Sequence, residues 1–443
     1  MKRLIILGGG ESGVGTAILA KAKGLDVFLS DAGHIAPHYK EMLDTHNIAW
    51  EDGGHSPERI LQADEVMKSP GIPDETPIMQ AIINKGIPVI SEIEFAARYT
   101  KAKMICITGS NGKTTTTSLI YYILKRAGLR AGLAGNIGRS LALQVLEGKE
   151  DYYVIELSSF QLDNMFDFRA NIAVLMNITP DHLDRYQFQF QHYIDSKMRI
   201  IQNQTPDDTF IYWAEDEHIP AELERRKTET APAPTPSSRP ARQGHPTLKP
   251  FRDEDFLRWH LSFSQIGDHN KRNAMAAYLV ATTVGVDDKL VRQCLEDFPG
   301  VEHRLEKVAI KDGITYINDS KATNVDACLV ALKAVNRPIV LIVGGKDKGN
   351  DYSVLFPLIR EKCRALVYLG ADNTKLHQSF DALGLPVQDT HSMKDCVNAC
   401  HSLAREGDTV LLSPCCASFD LFHNMEDRGE QFKQCVRELP NAK

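Results

Sequence analysis

The stretch MICITGSNGKTTTTSL, Met104 to Leu119, decides how this chain is read. Met104–Thr108 is a β-favouring run, and it leads into a short turn of Gly109, Ser110, Asn111 and Gly112, closed by Lys113. Leu119, Ile120 and Ile123 then take helical spacing. Strand, tight loop and helix in that order hold a polyphosphate with bare backbone N–H groups, the positive end of a helix and one ammonium. Thr114 is the first hydroxyl after the lysine and is placed to ligate Mg²⁺, with Thr115 beside it. The turn is shorter than the usual Walker pattern, with Ser110 and Asn111 alone between the first glycine and the Gly-Lys pair. A glycine-rich turn that binds nothing has no need of the lysine, so phosphate binding is the stronger reading.

Working outward, 443 residues exceed what one growing core accommodates, and two or three domains are expected. Hydrophobic content of 43% and charged content of 25% place the chain among globular proteins. A formal net charge of −7 argues against nucleic-acid binding by bulk charge, while leaving room for a local basic pocket. The nine cysteines are scattered and odd in number, which reads as buried thiols in a reducing compartment. The apolar run after Met1 is too short for a signal sequence and no stretch approaches a membrane span, so a cytoplasmic protein is expected.

Upstream, residues 3–7 form a strand running into Gly8, Gly9, Gly10, Gly13 and Gly15. A helix over Thr16–Lys23 and a strand over Asp26–Leu29 ending at Asp31 complete a βαβ opening of dinucleotide type. By itself this opening is equally compatible with NAD or FAD. Further βα alternation places Ser69, in an SPG turn, just beyond a strand. This first domain spans residues 1–92.

Downstream, a central domain spans 93–298, with strands at Met104–Thr108, Tyr153–Leu157 and Ile172–Met176. Glu156 ends one of them, either reaching an ion held by Thr114 or salt-bridged at a strand end. Asp181, His182, Asp184 and Arg185 crowd beyond the next strand, a ligand- or substrate-orienting cluster. On composition alone Lys197 reads as a surface or ion-paired lysine. Residues 225–250 are proline-rich and read as an exposed insertion without helix or strand. Trp259–Phe263, apolar at alternate positions, reads as a strand. Asn270 and Asn273 share one face at the start of a long apolar helix, where they contact a ligand or simply cap the helix. A third domain, 299–443, repeats the alternation, and three of its strands end in polar loops: Asn318–Asn324, Gly344–Gly349 and Ser413–Asp420. Such loops on one sheet edge make a face for an anionic small molecule. A phosphate loop flanked by two further ligand faces suits an enzyme that uses ATP to activate a carboxylate and join it to an amine. An NAD-dependent dehydrogenase leaves the phosphate loop and third domain unexplained. An ATP-regulated scaffold without turnover is the other alternative, and substrate-dependent phosphate release separates the two.

The motif series resembles the Mur ligase family along essentially the whole chain: TGSNGKT from Thr108, GNIG from Gly135, ELSSFQL from Glu156, NITPDHLDRY from Asn177, HN at His269, HR at His303, NDSKATN from Asn318, and SPCCASFD from Ser413 with RG at Arg428. The last motif is similar to the D-glutamate-adding branch. The resemblance implies three α/β domains: a Rossmann-like N-terminal domain, a P-loop ATPase-like central domain and a Rossmann-like C-terminal domain. It implies an amide-bond ligase using ATP and two Mg²⁺ ions, with UDP-N-acetylmuramoyl-L-alanine and D-glutamate as substrates, and nothing in it requires an oligomer. Lys113 then faces the ATP phosphates, Thr114 and Glu156 one Mg²⁺, and His182 the second. Lys197 matches a lysine that is carbamylated in the family. Asn270, Asn273, Arg304 and Asp319 fall on the ATP side. Glu11, Ser12, Asp31, Ala32, Ser69 and Asn136 fall on the nucleotide sugar, and His182 lies near it. Lys321, Thr323, Lys348 and Ser418 match the D-glutamate pocket, with Phe419 and Met425 adding peptide N–H groups. A folylpolyglutamate-like or other Mur enzyme would differ in its acceptor amino acid.

Overall fold

The computed structural model describes residues 2–228, 245–265, 267–335, 338–347 and 349–440. Three sheets organise them. The first holds β1 (Arg3–Leu7), β2 (Asp26–Ser30), β3 (Ala49–Glu51), β4 (Glu65–Lys68) and β5 (Val89–Ile90), all parallel, in the order β3-β2-β1-β4-β5. The second holds β6 (Lys103–Thr108), β7 (Ala131–Gly135), β8 (Tyr152–Glu156), β9 (Ile172–Leu175), β10 (Thr209–Trp213) and β11 (Thr247–Phe251). It too is parallel, ordered β11-β10-β9-β6-β8-β7. The third holds β12 (Glu306–Lys311), β13 (Ile314–Asn318), β14 (Ile339–Gly344), β15 (Cys363–Leu369), β16 (Val387–Thr390) and β17 (Thr409–Cys415), ordered β12-β13-β17-β14-β15-β16. There β12 runs antiparallel to β13 and the rest is parallel. This is the expected three-part α/β organisation.

Parallel strands covered on both faces need continuous apolar runs. Leu4–Leu7, Ile105–Ile107 and Ile339–Val343 supply them and are fully buried. The polar residues therefore collect beyond the carboxyl ends of these strands. All nine cysteines are free thiols, and eight are buried.

The contacts divide the chain into two compact units. One comprises residues 1–263 with 268–298, and the other 264–267 with 299–443. Within the first unit, the helix Glu92–Ala97 joins the first sheet to the second. Buried Glu92 accepts from Ser140 Oγ at 2.5 Å and from Ala142 N at 3.2 Å. Buried Glu94 accepts the N–H groups of Phe166, Asp167 and Phe168. A carboxylate desolvated this far is tolerated only when several donors converge on it.

Several expectations need correction. The first helix runs Glu11–Ala22, five residues earlier than its apolar spacing suggests, so Gly13 and Gly15 lie inside it. Both mark close approaches: a Cβ at Gly13 would stand 1.8 Å from Gly8 O, and one at Gly15 2.0 Å from Ser140 Oγ. Trp259–Phe263 is not a strand. The N–H groups of Trp259, His260 and Leu261 bond back to Asp255, Leu257 and Phe256, closing the helix Asp255–Arg258. The flanks of the proline-rich segment are ordered, in the helix His218–Thr228 and in β11, while residues 229–244 lie outside the described residues.

Gly15 tests the joint between the first two sheets. Replacing a helical glycine by alanine ordinarily gains about 1 kcal/mol. Here the new methyl meets Ser140, whose hydroxyl is held by Glu92 and cannot rotate away without leaving that carboxylate short of a donor. Gly15→Ala is expected to destabilise the protein by about 1–3 kcal/mol, as overpacking does. Denaturant unfolding checks it, and a gain in stability would refute the close-packing account.

Candidate functional site

In the second sheet, β6 stands between β8 and β9, so Thr108, Glu156 and Leu175 end side by side. The loop after β6 enters the helix Lys113–Arg126 through Gly112, at φ +85°. That φ favours glycine, and the space does as well: a Cβ would lie 2.5 Å from Asn273 Oδ1. The same Oδ1 accepts from Thr116 Oγ1, while Asn273 Nδ2 donates to Asn270 Oδ1 at 2.9 Å. Both asparagines are buried, so they are more than helix caps.

The segment after β9 braces the other side of the loop. Ser110 N donates to Asn177 O, and Asn111 N to Asn177 Oδ1 at 2.8 Å. Ser110 Oγ donates to Thr179 O and accepts from Thr179 N. Lys113 Nζ donates to Gly109 O at 2.8 Å and to Ser110 O at 2.9 Å. Thr114 and Thr115 are buried in the first helical turn.

Lys197 is not a surface lysine. It is 2% exposed, donates to Gly109 O at 2.9 Å and lies over the Tyr193 ring. Burial, reinforced by the Lys113 charge, holds its pKa well below the ordinary lysine value. Tyr193, whose hydroxyl lies 3.1 Å from Ser110 Oγ, was missed in the sequence. Its signal was available: Tyr193 and Lys197 are four apart on the helix Phe190–Met198.

Glu156 is 1% exposed. Its Oε1 accepts from Asn136 Nδ2 at 3.0 Å, and its backbone carbonyl accepts from Asn136 N. Its Oε2 is buried without a hydrogen-bond partner. A buried carboxylate oxygen lacking a donor is a fit site for a cation, so the donor set here suits Mg²⁺. His182 is half-exposed at φ +51°, 3.6 Å from Asp181 and edge-on to Phe160. The geometry thus brings Lys113, Lys197, Ser110 and the asparagine pair together directly, with Glu156 one strand away, and leaves His182 at the rim.

In the first sheet the chain reverses order between β1 and β4, where ligands of open α/β sheets sit. Asp31 accepts from Gly9 N at 2.5 Å and from Gly33 N at 2.7 Å, shaping the glycine turn, and Ala32 is exposed. Ser69 Oγ lies against Gly8, 2.4 Å from where a Cβ would stand. Glu11 turns to Ser140 N at 2.9 Å, and the Ser12 side chain bonds Glu92, so both contribute to the joint.

In the second unit, β13, β17 and β14 are neighbours and their ends carry the polar loops. Asp319 is buried, accepting from Ser413 Oγ at 2.9 Å and Leu305 N at 3.2 Å; desolvation pushes its pKa up to about 7 against the pull of Arg304. Arg428 is 1% exposed and ties two loops to its own helix, Met425–Glu438. Its guanidinium donates to Ser320 Oγ, Ser320 O and Cys416 O, and burial lowers its pKa to about 10. Ser320 Oγ in turn donates to Met425 O. Lys321 and Thr323 follow that serine, Ser418 is buried beyond Cys416, and Phe419 is 67% exposed. Gly429 leaves room for the His303 ring, which a Cβ would meet at 2.2 Å. Lys348 lies outside the described residues. Glu302, His303 and Glu430 cluster as metal ligands do, but the Lys433 ammonium already bonds both carboxylates and supplies the compensating charge. Among the described residues no helix is long and apolar enough to cross a membrane.

Comparison with known proteins agrees along the whole chain. Residues 2–91 match the Mur ligase MurD-like N-terminal domain, 107–281 the Mur ligase middle domain, and 303–416 the Mur ligase glutamate ligase domain. The chain is 57% identical to a UDP-N-acetylmuramoylalanine–D-glutamate ligase of Bacteroides fragilis, over 99% of this chain and 100% of that one. It is 58% identical to the enzyme of the same name from Bacteroides thetaiotaomicron, with the same coverage. Among solved structures it is similar in fold to UDP-N-acetylmuramate-alanine ligase MurC of Thermotoga maritima, at TM-score 0.60 and 18% identity over 99% of each chain. Three domain models of one family, and relatives 57% and 58% identical over 99% of its length, lead to one conclusion: the chain belongs to the Mur ligase family.

Proposed function

We propose that this chain is an ATP-dependent ligase that joins D-glutamate to UDP-N-acetylmuramoyl-L-alanine in peptidoglycan precursor synthesis, acting as a cytoplasmic monomer without nucleic-acid or membrane partners. The curated relatives carry that activity in their names, and Mur ligases in general use ATP and Mg²⁺. The observation that carries the chemistry is the convergence of Lys113 and Lys197 on the Gly109 carbonyl.

A carboxylate resists attack by an amine because its oxygen is a poor leaving group. In the proposed reaction the substrate carboxylate oxygen takes the γ-phosphoryl group of ATP, and ADP departs. The D-glutamate nitrogen then attacks the acyl carbon, loses a proton and expels inorganic phosphate. Lys113, released from its loop carbonyls, meets the charge spreading over the phosphoryl oxygens. The N–H groups at the start of the helix Lys113–Arg126 orient the phosphate chain, with the Asn270–Asn273 pair bracing that end of the helix. Thr114 and Glu156 would hold one Mg²⁺ and His182 a second, and the ions, when bound, would offset the charge on the phosphate oxygens. Burial and the nearby Lys113 charge favour the uncharged form of Lys197, the form of an amine that takes up CO₂, releasing a proton and leaving a carbamate. Carbamylation would place an anion at this buried position beside Lys113. The glycine turn with Asp31, Ala32, Ser69 and Asn136 holds the nucleotide sugar, with Glu11 and Ser12 fixing the helix behind it. Lys321, Thr323, Lys348 and Ser418, with the backbone near Phe419 and Met425, hold D-glutamate, whose two carboxylates suit a lysine-rich pocket.

Phosphate release is expected to require ATP, UDP-N-acetylmuramoyl-L-alanine and D-glutamate together. Equal release with L-glutamate, L-lysine or meso-diaminopimelate would overturn the acceptor assignment. Lys113→Ala should lower kcat by at least about 100-fold, the scale of a lost charge-stabilising donor at a reacting centre. Single-turnover kinetics measures this, and a near-normal rate would contradict the role of the loop. Lys197→Ala should lose activity and recover part of it with a small added carboxylic acid. An unmodified Lys197 in the intact mass of fully active enzyme would refute carbamylation.

A further inference from the structure

Lys68 is the last residue of β4, at the point where the first sheet reverses its order. Its side chain is 2% exposed, and lysine is almost never buried this far unless paired. The ammonium donates to Ile72 O at 3.2 Å and to the Asp74 carboxylate. These two bonds fold the loop 69–74 back onto the strand that precedes it. The other ties of the loop include backbone bonds, Ser69 N to Leu7 O at 3.0 Å and Ile72 N to Ser69 O at 3.1 Å, and side-chain bonds from Thr76 Oγ1 to Pro73 O at 3.0 Å and from Gln80 Nε2 to Asp74 O at 2.8 Å. The loop begins with Ser69, whose hydroxyl is held against Gly8 so closely that no side chain fits there.

A second set of groups faces the same ammonium. Lys68, Asp74 and Glu75 line one side of a cleft of about 30 Å³; Phe160, Asp163, Arg185 and Tyr186 line the other. Burial raises the pKa of Asp163, while hydrogen bonds from Ser196 and Tyr186 and the charges of Arg199 and Lys68 favour its ionised form. Tyr186 donates to it at 2.8 Å, and Arg185 stacks on Phe160 at 4.5 Å. The cleft has room for about one water and no substrate. Lys68 therefore acts through what it holds.

We propose that Lys68 is a positioning residue for the nucleotide-sugar substrate: by bonding Ile72 O and Asp74 it fixes Ser69 over the glycine turn. The inference rests on the reading that Ser69 and the glycine turn receive this substrate. A methionine at position 68 matches the stem but donates nothing, so Ile72 O and Asp74 lose their donor and the loop is freed.

Steady-state kinetics with each substrate varied in turn tests this. Lys68→Met is expected to raise KM for UDP-N-acetylmuramoyl-L-alanine about tenfold, the size of one lost charged hydrogen bond. The KM values for ATP and D-glutamate, and kcat, should stay within about twofold. Asp74→Ala alters the exposed partner and should shift the same KM about threefold in the same direction. An unchanged KM for the nucleotide sugar in folded Lys68→Met overturns the proposal, and so does a parallel rise in all three KM values. Should Lys68→Met not fold, an unchanged KM in Asp74→Ala overturns it alone. Calorimetric binding of UDP-N-acetylmuramoyl-L-alanine separates the two levels: wild-type protein that does not bind it defeats the substrate reading, whereas wild type and Lys68→Met binding equally tightly defeat only the role of Lys68.

Discussion

Two ammonium groups share one carbonyl oxygen at Gly109. Their nitrogens lie 2.8 and 2.9 Å from it, hence within about 6 Å of each other, where two unit charges repel by about 3 kcal/mol or more at an effective dielectric of 20. Such a pair is stable in two ways: one member sheds its proton, or an anion comes between them. Burial of Lys197 favours the first, and the helix N-terminus that follows the loop favours the second. Negative charge beside this loop is therefore stabilising. Glu156 is its counterpart, a buried carboxylate oxygen without a donor. The cation-seeking and anion-seeking groups stand at the ends of adjacent strands.

That adjacency follows from sheet order. In each sheet the apolar strands lie covered on both faces, so polar side chains have only the loops to occupy. The orders β3-β2-β1-β4-β5, β11-β10-β9-β6-β8-β7 and β12-β13-β17-β14-β15-β16 each bring together the ends of strands far apart in sequence. Gly8 meets Ser69, Thr108 meets Glu156 and Leu175, and Asp319 meets Ser413. Each pairing unites a flexible or donor-rich turn with a side chain that shapes it.

Much of this was legible in the sequence because its signals are local. A strand, a glycine turn and a lysine within ten residues declare a phosphate loop, and apolar runs such as Ile339–Val343 declare central strands. Edge strands were not legible: β11 reads TLKPF, and only Phe251 within it is buried. β7 reads AGLAG and looks like a glycine loop, yet Gly132 and Gly135 are small because Gln144, Tyr153 and Glu156 press on them. Alternation at Trp259–Phe263 shows that two faces differ, not that a neighbouring strand exists. Lys197 was misread from composition because one lysine on a mixed helix looks the same buried or exposed, and only motif resemblance drew attention to it. The role of Arg428 was hidden for a related reason, since two of its three bonds go to backbone carbonyls that any sequence supplies.

The bracing of Gly112 has a consequence for how the protein is made. Its left-handed turn is walled by Asn273, and the loop before it is laced to Asn177, Thr179 and Lys197. A ribosome delivers the loop first and the last of these supports some 160 residues later. Until Asn273 emerges, the nascent chain holds the letters of a nucleotide cradle without its shape. The full bracing of the loop is complete only when the long helix Asp268–Val284 has docked behind it.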